Sequence, residues 1–146
     1  MAKYLLDVNV LIALFWPAHE SHARVQQWFR HHSHEGWATC PLTQLGFVRI
    51  VSNVAFSPDA VRAEDATQLL EENLKRSDHH FWPDDLSFVD ALRPVRSLPR
   101  GHRQVTDAYL VALALHRKGK LATLDKSLAG MLPGNGSERT MISLID

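Results

Sequence analysis

Apolar residues recur along this chain in two rhythms: short unbroken runs, and longer stretches where they return every third or fourth place. Residues 3–8 show the first rhythm, with apolar side chains on both faces, as in a central strand of a parallel sheet. A helix follows, broken at Pro17, and resumes through "SHARVQQWFRHH", where Val25, Trp28, Phe29 and His32 share one face. "GWATC" (36–40) predicts a second strand, and Pro41 suits the first turn of a helix through "LTQLGFVRIVS". "SP" at 57–58 is expected to start another helix, with Ala63, Ala66, Leu70 and Leu74 as its apolar stripe. "HHFW" (79–82) reads as a third strand ended by Pro83, and "SLPRG" as a loop. A strongly apolar helix is expected from about Gln104 to Lys118, stopped by Gly119. "KLATL" (120–124) then predicts a fourth strand, "KSLAGML" a short helix, and "RTMISLI" a last strand.

Strands alternating with helices imply an α/β fold, a parallel sheet covered on both faces. Right-handed crossovers put every strand-to-helix turn at one edge of such a sheet, where ligand sites collect. The 146 residues are enough for one domain, 1–146, with its own core. A content of 45% hydrophobic and 22% charged residues is ordinary for a folded chain. The 16 Lys and Arg balance the 16 Asp and Glu, so a nucleic-acid partner has to be held by local charge. A single cysteine, Cys40, excludes an intrachain disulfide framework and suits a reducing cytosol. No apolar run approaches the roughly 18 residues of a membrane span, and the start lacks a signal-peptide pattern, so a cytoplasmic chain without a membrane partner is expected.

Three acids stand where the edge rule places chemistry. Asp7 interrupts "YLLDVNVLIALF" at the end of the first strand, Asp125 follows the fourth in "LATLDKSL", and Asp107 opens the most apolar helix in "QVTDAYLVALAL". Each has a structural role open to it: Asp7 and Asp125 can cap the helices they precede, and Asp107 suits a helix N-terminus. Together they would repel, and take up protons, unless a cation lies among them. Mg²⁺ or Mn²⁺, hard ions that prefer carboxylate and water oxygens, would remove that cost. An acidic metal pocket of this kind commonly handles phosphates.

The segments "LLDVNVLIALF", "HESHARVQQWF", "CPLTQLGFVRIVSN", "FWPDDLSF", "VTDAYLVALAL" and "LATLDKSL", in that order, resemble the PIN-domain ribonucleases, and among them the VapC type of bacterial toxin. The resemblance implies a three-layer fold with a five-stranded parallel sheet in the order 3-2-1-4-5, so that strands one and four are neighbours. It implies a Mg²⁺- or Mn²⁺-dependent endoribonuclease that inhibits translation. Asp7 and Asp107 would be metal ligands and Asp125 the later acid, acting through water or a second metal. It further implies a small cognate antitoxin over the acidic cleft, a homodimer, and an RNA substrate such as tRNA cleaved to a 5′-phosphate and a 3′-hydroxyl.

One position departs from the family pattern. Gln44 stands where Glu is common, keeping size and an acceptor oxygen but losing charge, which puts occupancy by two metals in question. Asn9, Thr106 and Thr123, each close to a proposed ligand, can orient carboxylates or serve as local caps. Arg93, Arg96, Arg100, His102 and Arg103 crowd the approach to Asp107, as phosphate contacts or as a solvated loop. Asp84 and Asp85 are expected to cap the helix after strand three, "HHSH" (31–34) to end a helix, and the four tryptophans to anchor the core. The rival to an active enzyme is a PIN fold, metal-poor because of Gln44, that only binds protein or RNA. A phosphotransfer domain lacks support: the paired acids after strand one, an Asp-x-Asp motif and a phosphate-cradling glycine loop are all missing.

Overall fold

The computed structural model describes residues 2–95, 99, 101–130 and 141–146. Five parallel strands form its centre: β1 (Tyr4–Leu6), β2 (Trp37–Thr39), β3 (His79–Phe81), β4 (Lys120–Thr123) and β5 (Ile142–Leu144), in the order β3-β2-β1-β4-β5. β1 and β4 are neighbours, with Leu5 level with Leu121 and Leu6 with Ala122. The Asp7 amide carries the ladder one step further, donating to the Ala122 carbonyl at 2.9 Å.

Alternation along the strands sorts the core into two layers. Leu5, Ala38 and Leu121 face α5 (Phe88–Leu92), α6 (Val105–His116) and α7 (Lys126–Gly130). Tyr4, Leu6, Trp37 and Ala122 face α1 (Val8–Phe15), α2 (His22–His32), α3 (Pro41–Val51) and α4 (Ala63–Leu74). α6 is buried from Ala108 through Ala114, as expected for a helix apolar all round. Trp37, only 1% exposed, anchors the second layer under Phe15 and Phe29. At the end of α2, His31 and His32 bond the carbonyls of Gln27 and Trp28, so the "HHSH" run closes a helix as expected.

Three local expectations are corrected. "SP" at 57–58 does not start α4: the Ser57 hydroxyl accepts from the Asp59 amide in a local turn, and α4 begins at Ala63 with Glu64 and Asp65 in its first turn. Asp84 and Asp85 do not cap α5. Ser87 does, accepting from the Asp90 amide, while Asp84 takes the Tyr109 hydroxyl and Asp85 pairs with Arg117. α6 stops at His116, and Lys118 rather than Gly119 takes the left-handed turn, at φ 60°. Gly119 is needed for close approach: a Cβ there would lie 2.8 Å from the Lys3 carbonyl oxygen and 3.0 Å from the Trp82 ring.

Candidate active site

The three acids reach the carboxyl edge of the sheet by different routes. Asp7 continues β1 in extended conformation, then turns the chain into α1; its Oδ1 accepts from the Val8 amide at 2.8 Å. It does cap the helix, as its sequence context allows, but its carboxylate is only 6% exposed. Asp107 lies in the first turn of α6, half-buried. Asp125 follows β4; its Oδ1 accepts from both the amide (2.9 Å) and the hydroxyl (2.6 Å) of Ser127, capping α7.

The neighbouring charges act on Asp7 and on Asp107. Burial above all, then the Asp107 and Asp125 charges, raise the Asp7 pKa to about 6, against the lowering effect of the bonds from Thr123 and Val8. Burial and then the Asp125 charge raise Asp107 above the usual carboxylate range. Among the described residues no cation pairs with Asp7, Asp107 or Asp125, whereas Glu35, Glu64, Glu72, Asp78, Asp85 and Asp90 each have one. Clustered negative charge with no basic partner is a donor set suited to a hard cation. No three His, Cys, Asp or Glu side chains among the described residues close into a ready-made cage.

Thr123 ties the edge together. Its hydroxyl donates to Asp7 Oδ2 at 2.8 Å and accepts from the Asp125 amide at 3.1 Å. The Asn9 side-chain amide approaches the same oxygen at 3.4 Å, and its carbonyl accepts from the Leu124 amide at 3.3 Å. Asn9 and Thr123 thus connect β1, β4 and two of the acids.

The other sequence candidates lie elsewhere. Gln44 donates to the Thr39 hydroxyl at 2.9 Å, and Thr39 in turn meets His79 at 2.8 Å. Its amide is engaged at the end of β2 and makes no hydrogen bond to the three acids. Thr106 is exposed and lines a cleft with Leu42, Asp84, Leu86, Phe88, Val105 and Tyr109. His102 and Arg103 are exposed in a short 3₁₀ turn leading into α6, and Arg93 pairs with Asp90. Arg96 and Arg100 lie outside the described residues. The sequence reading missed the Tyr109–Asp84 bond, which joins α6 to the segment after β3; nothing in the local pattern signals a pairing 25 residues apart.

A parallel sheet in this order with acids gathered at its carboxyl edge defines a class, and the chain belongs to the PIN-domain family, whose pattern matches residues 4–131. Within that family it is of the VapC type. It is 44% identical to Ribonuclease VapC39 of Mycobacterium tuberculosis over 125 residues, covering 86% of this chain and 90% of the relative. It is 46% identical to Ribonuclease VapC38 of the same species over 121 residues, 83% and 84% of the two chains. Among solved structures, VapBC2 from Rickettsia felis, bound to a promoter DNA fragment, matches with TM-score 0.65 and 12% identity over 99% of both chains. FitAcB from Neisseria gonorrhoeae matches with TM-score 0.61 and 19% identity over 96% of both. These two likenesses bear on the fold.

Proposed function

We propose that this chain is a divalent-metal-dependent endoribonuclease, the toxin of a toxin–antitoxin pair, which hydrolyses RNA phosphodiester bonds and thereby inhibits translation. The observation that carries this reading is the group of Asp7, Asp107 and Asp125 at one sheet edge, without a basic partner among the described residues, in which the Asp107 and Asp125 charges raise the Asp7 pKa and the Asp125 charge raises that of Asp107. The curated relatives, named ribonucleases at more than 40% identity, point the same way.

Asp7 and Asp107 would hold Mg²⁺ or Mn²⁺. Such an ion, when bound, polarises phosphoryl oxygen and lowers the pKa of water. Thr123, bonded to Asp7 Oδ2, keeps that carboxylate aimed from behind, and Asn9 holds Thr123 in turn. Asp125 spends Oδ1 on Ser127, leaving Oδ2 to position water for in-line attack. Arg103 and His102, with Arg96 and Arg100, would hold flanking phosphates. The same reading makes the protein a cytoplasmic homodimer, covered at its acidic cleft by a small antitoxin, with tRNA one candidate substrate.

One observation favours a second reading. Gln44 brings no charge to the acids and gives its amide to Thr39, as expected of a PIN fold retained only for binding. Cleavage of total RNA with Mn²⁺, Mg²⁺ or chelator separates the two. The expected result is divalent-dependent cleavage, slowed about a thousandfold in Asp107→Asn while circular dichroism shows the fold retained. Intact RNA under every condition would favour the binding module, and undiminished cleavage by Asp107→Asn would reject the site.

A further inference from the structure

The cleft at the start of α6 is distinct from the carboxylate group, yet it shares a helical turn with it. Its 280 Å³ are walled by Leu42, Leu86, Phe88 and Val105, with Asp84, Thr106 and Tyr109 supplying polar atoms. That volume is just below the roughly 300–1,000 Å³ typical of ligand pockets, suited to one flat heterocycle. Phe88 is 44% exposed for so large a hydrophobic side chain, and its ring lies nearly parallel to Tyr109, 20° between planes and 6.4 Å between centroids. The Tyr109 hydroxyl donates to Asp84 Oδ1, fixing that carboxylate at the rim. Burial, and then the Asp84 carboxylate, raise the Tyr109 pKa, so the phenol remains a donor. Asp84 Oδ2 makes no hydrogen bond among the described residues and is left to accept.

An apolar slot with an aromatic wall and a fixed acceptor is a receptor for a flat ring carrying N–H donors. Val105 and Thr106 immediately precede Asp107, so a ring seated here would belong to a nucleotide next to the phosphate at the acids. We propose that this cleft binds a single unstacked RNA base beside the scissile phosphate, and that the Asp84 carboxylate selects guanine. Guanine presents N1–H and N2–H side by side, a pair that matches Asp84 Oδ2 together with the second acceptor site of Oδ1, whereas adenine and cytosine each present one amino group. Aromatic stacking supplies affinity that is indifferent to the base, and the carboxylate supplies the choice. The inference rests on the ribonuclease reading for its substrate.

Binding measured apart from cleavage tests it. Side-chain NMR of the whole chain, without divalent ion, is recorded with 5′-GMP, 5′-IMP, 5′-AMP and 5′-CMP. GMP is expected to shift Phe88, Val105 and Leu42 resonances and to bind about tenfold more tightly than AMP or CMP, with IMP between. Phe88→Ala should weaken all four, and Asp84→Asn should remove the preference; both side chains are exposed. If GMP binds selectively but the chain cleaves no RNA, the cleft stands and the nuclease reading falls. If RNA is cleaved with no base preference, and Phe88→Ala changes neither binding nor cleavage, the cleft is a protein-contact surface and this proposal is overturned.

Discussion

Asp7 does two jobs that pull on its charge in opposite directions. Capping α1 and accepting from Thr123 favour the carboxylate, while burial and two neighbouring acids favour the protonated form, and the second group prevails at a pKa of about 6. The folded pKa lies above the unfolded value, so the folded state binds more protons between about pH 4 and 6. In metal-free protein stability should therefore fall as pH rises through that window, by about 3 kcal/mol for this group. Thermal unfolding from pH 4 to 7 in chelator is expected to show the fall, to lose it in Asp7→Asn, and to recover stability above pH 6 when Mg²⁺ is added. A flat profile would mean that Asp7 is not a buried carboxyl with its pKa raised. The sequence put Asp7, Asp107 and Asp125 forward because an acid inside an apolar run is costly without a partner. It suggested Asn9 and Thr123 only by nearness along the chain. Their bonds span 114 and 116 positions and depend on β1 lying beside β4.

Elements were legible where periodicity was strong and obscure where a side chain competed with the backbone. α6 could be read from its apolar run and β1 from its two-faced one. The start of α4 could not, because the turn from Ser57 to Ala60 is not continued: the Val61 amide bonds the Val51 carbonyl instead of that of Ser57. Asp84 and Asp85 looked like caps, but tertiary partners Tyr109 and Arg117 claimed both. The α6–β4 turn yields a quantitative expectation. Gly119→Ala drives a methyl toward the Lys3 carbonyl and the Trp82 ring, and should cost about 1–3 kcal/mol by overpacking. Lys118→Gly relieves a left-handed residue and should be neutral or stabilising by up to about 1 kcal/mol. Denaturant unfolding of both variants measures the contrast; the reverse order would mean that neither crowding at Gly119 nor left-handed strain at Lys118 controls the turn.

At the scale of the whole molecule, alternation of strand and helix implied a covered parallel sheet, and the edge rule implied a cluster. The strand order 3-2-1-4-5 came from the family resemblance, since periodicity cannot say which strands are neighbours. The cleft beside Asp107 had no signal at all in the sequence, because its walls come from α3, α5, α6 and the segment after β3. Gln44 shows the limit from the other side: the sequence marked it as a departure, and only the fold shows its amide turned to Thr39. Negative charge gathered at the ends of β1, β4 and the start of α6, with no basic side chain assigned to it among the described residues, is the property from which the proposed chemistry follows. Calorimetric titration of Mn²⁺ into the metal-free protein at pH 7 tests that property most directly. Saturable binding that is lost in both Asp7→Asn and Asp107→Asn is the predicted outcome. No detectable binding, or binding that survives both substitutions, would contradict it.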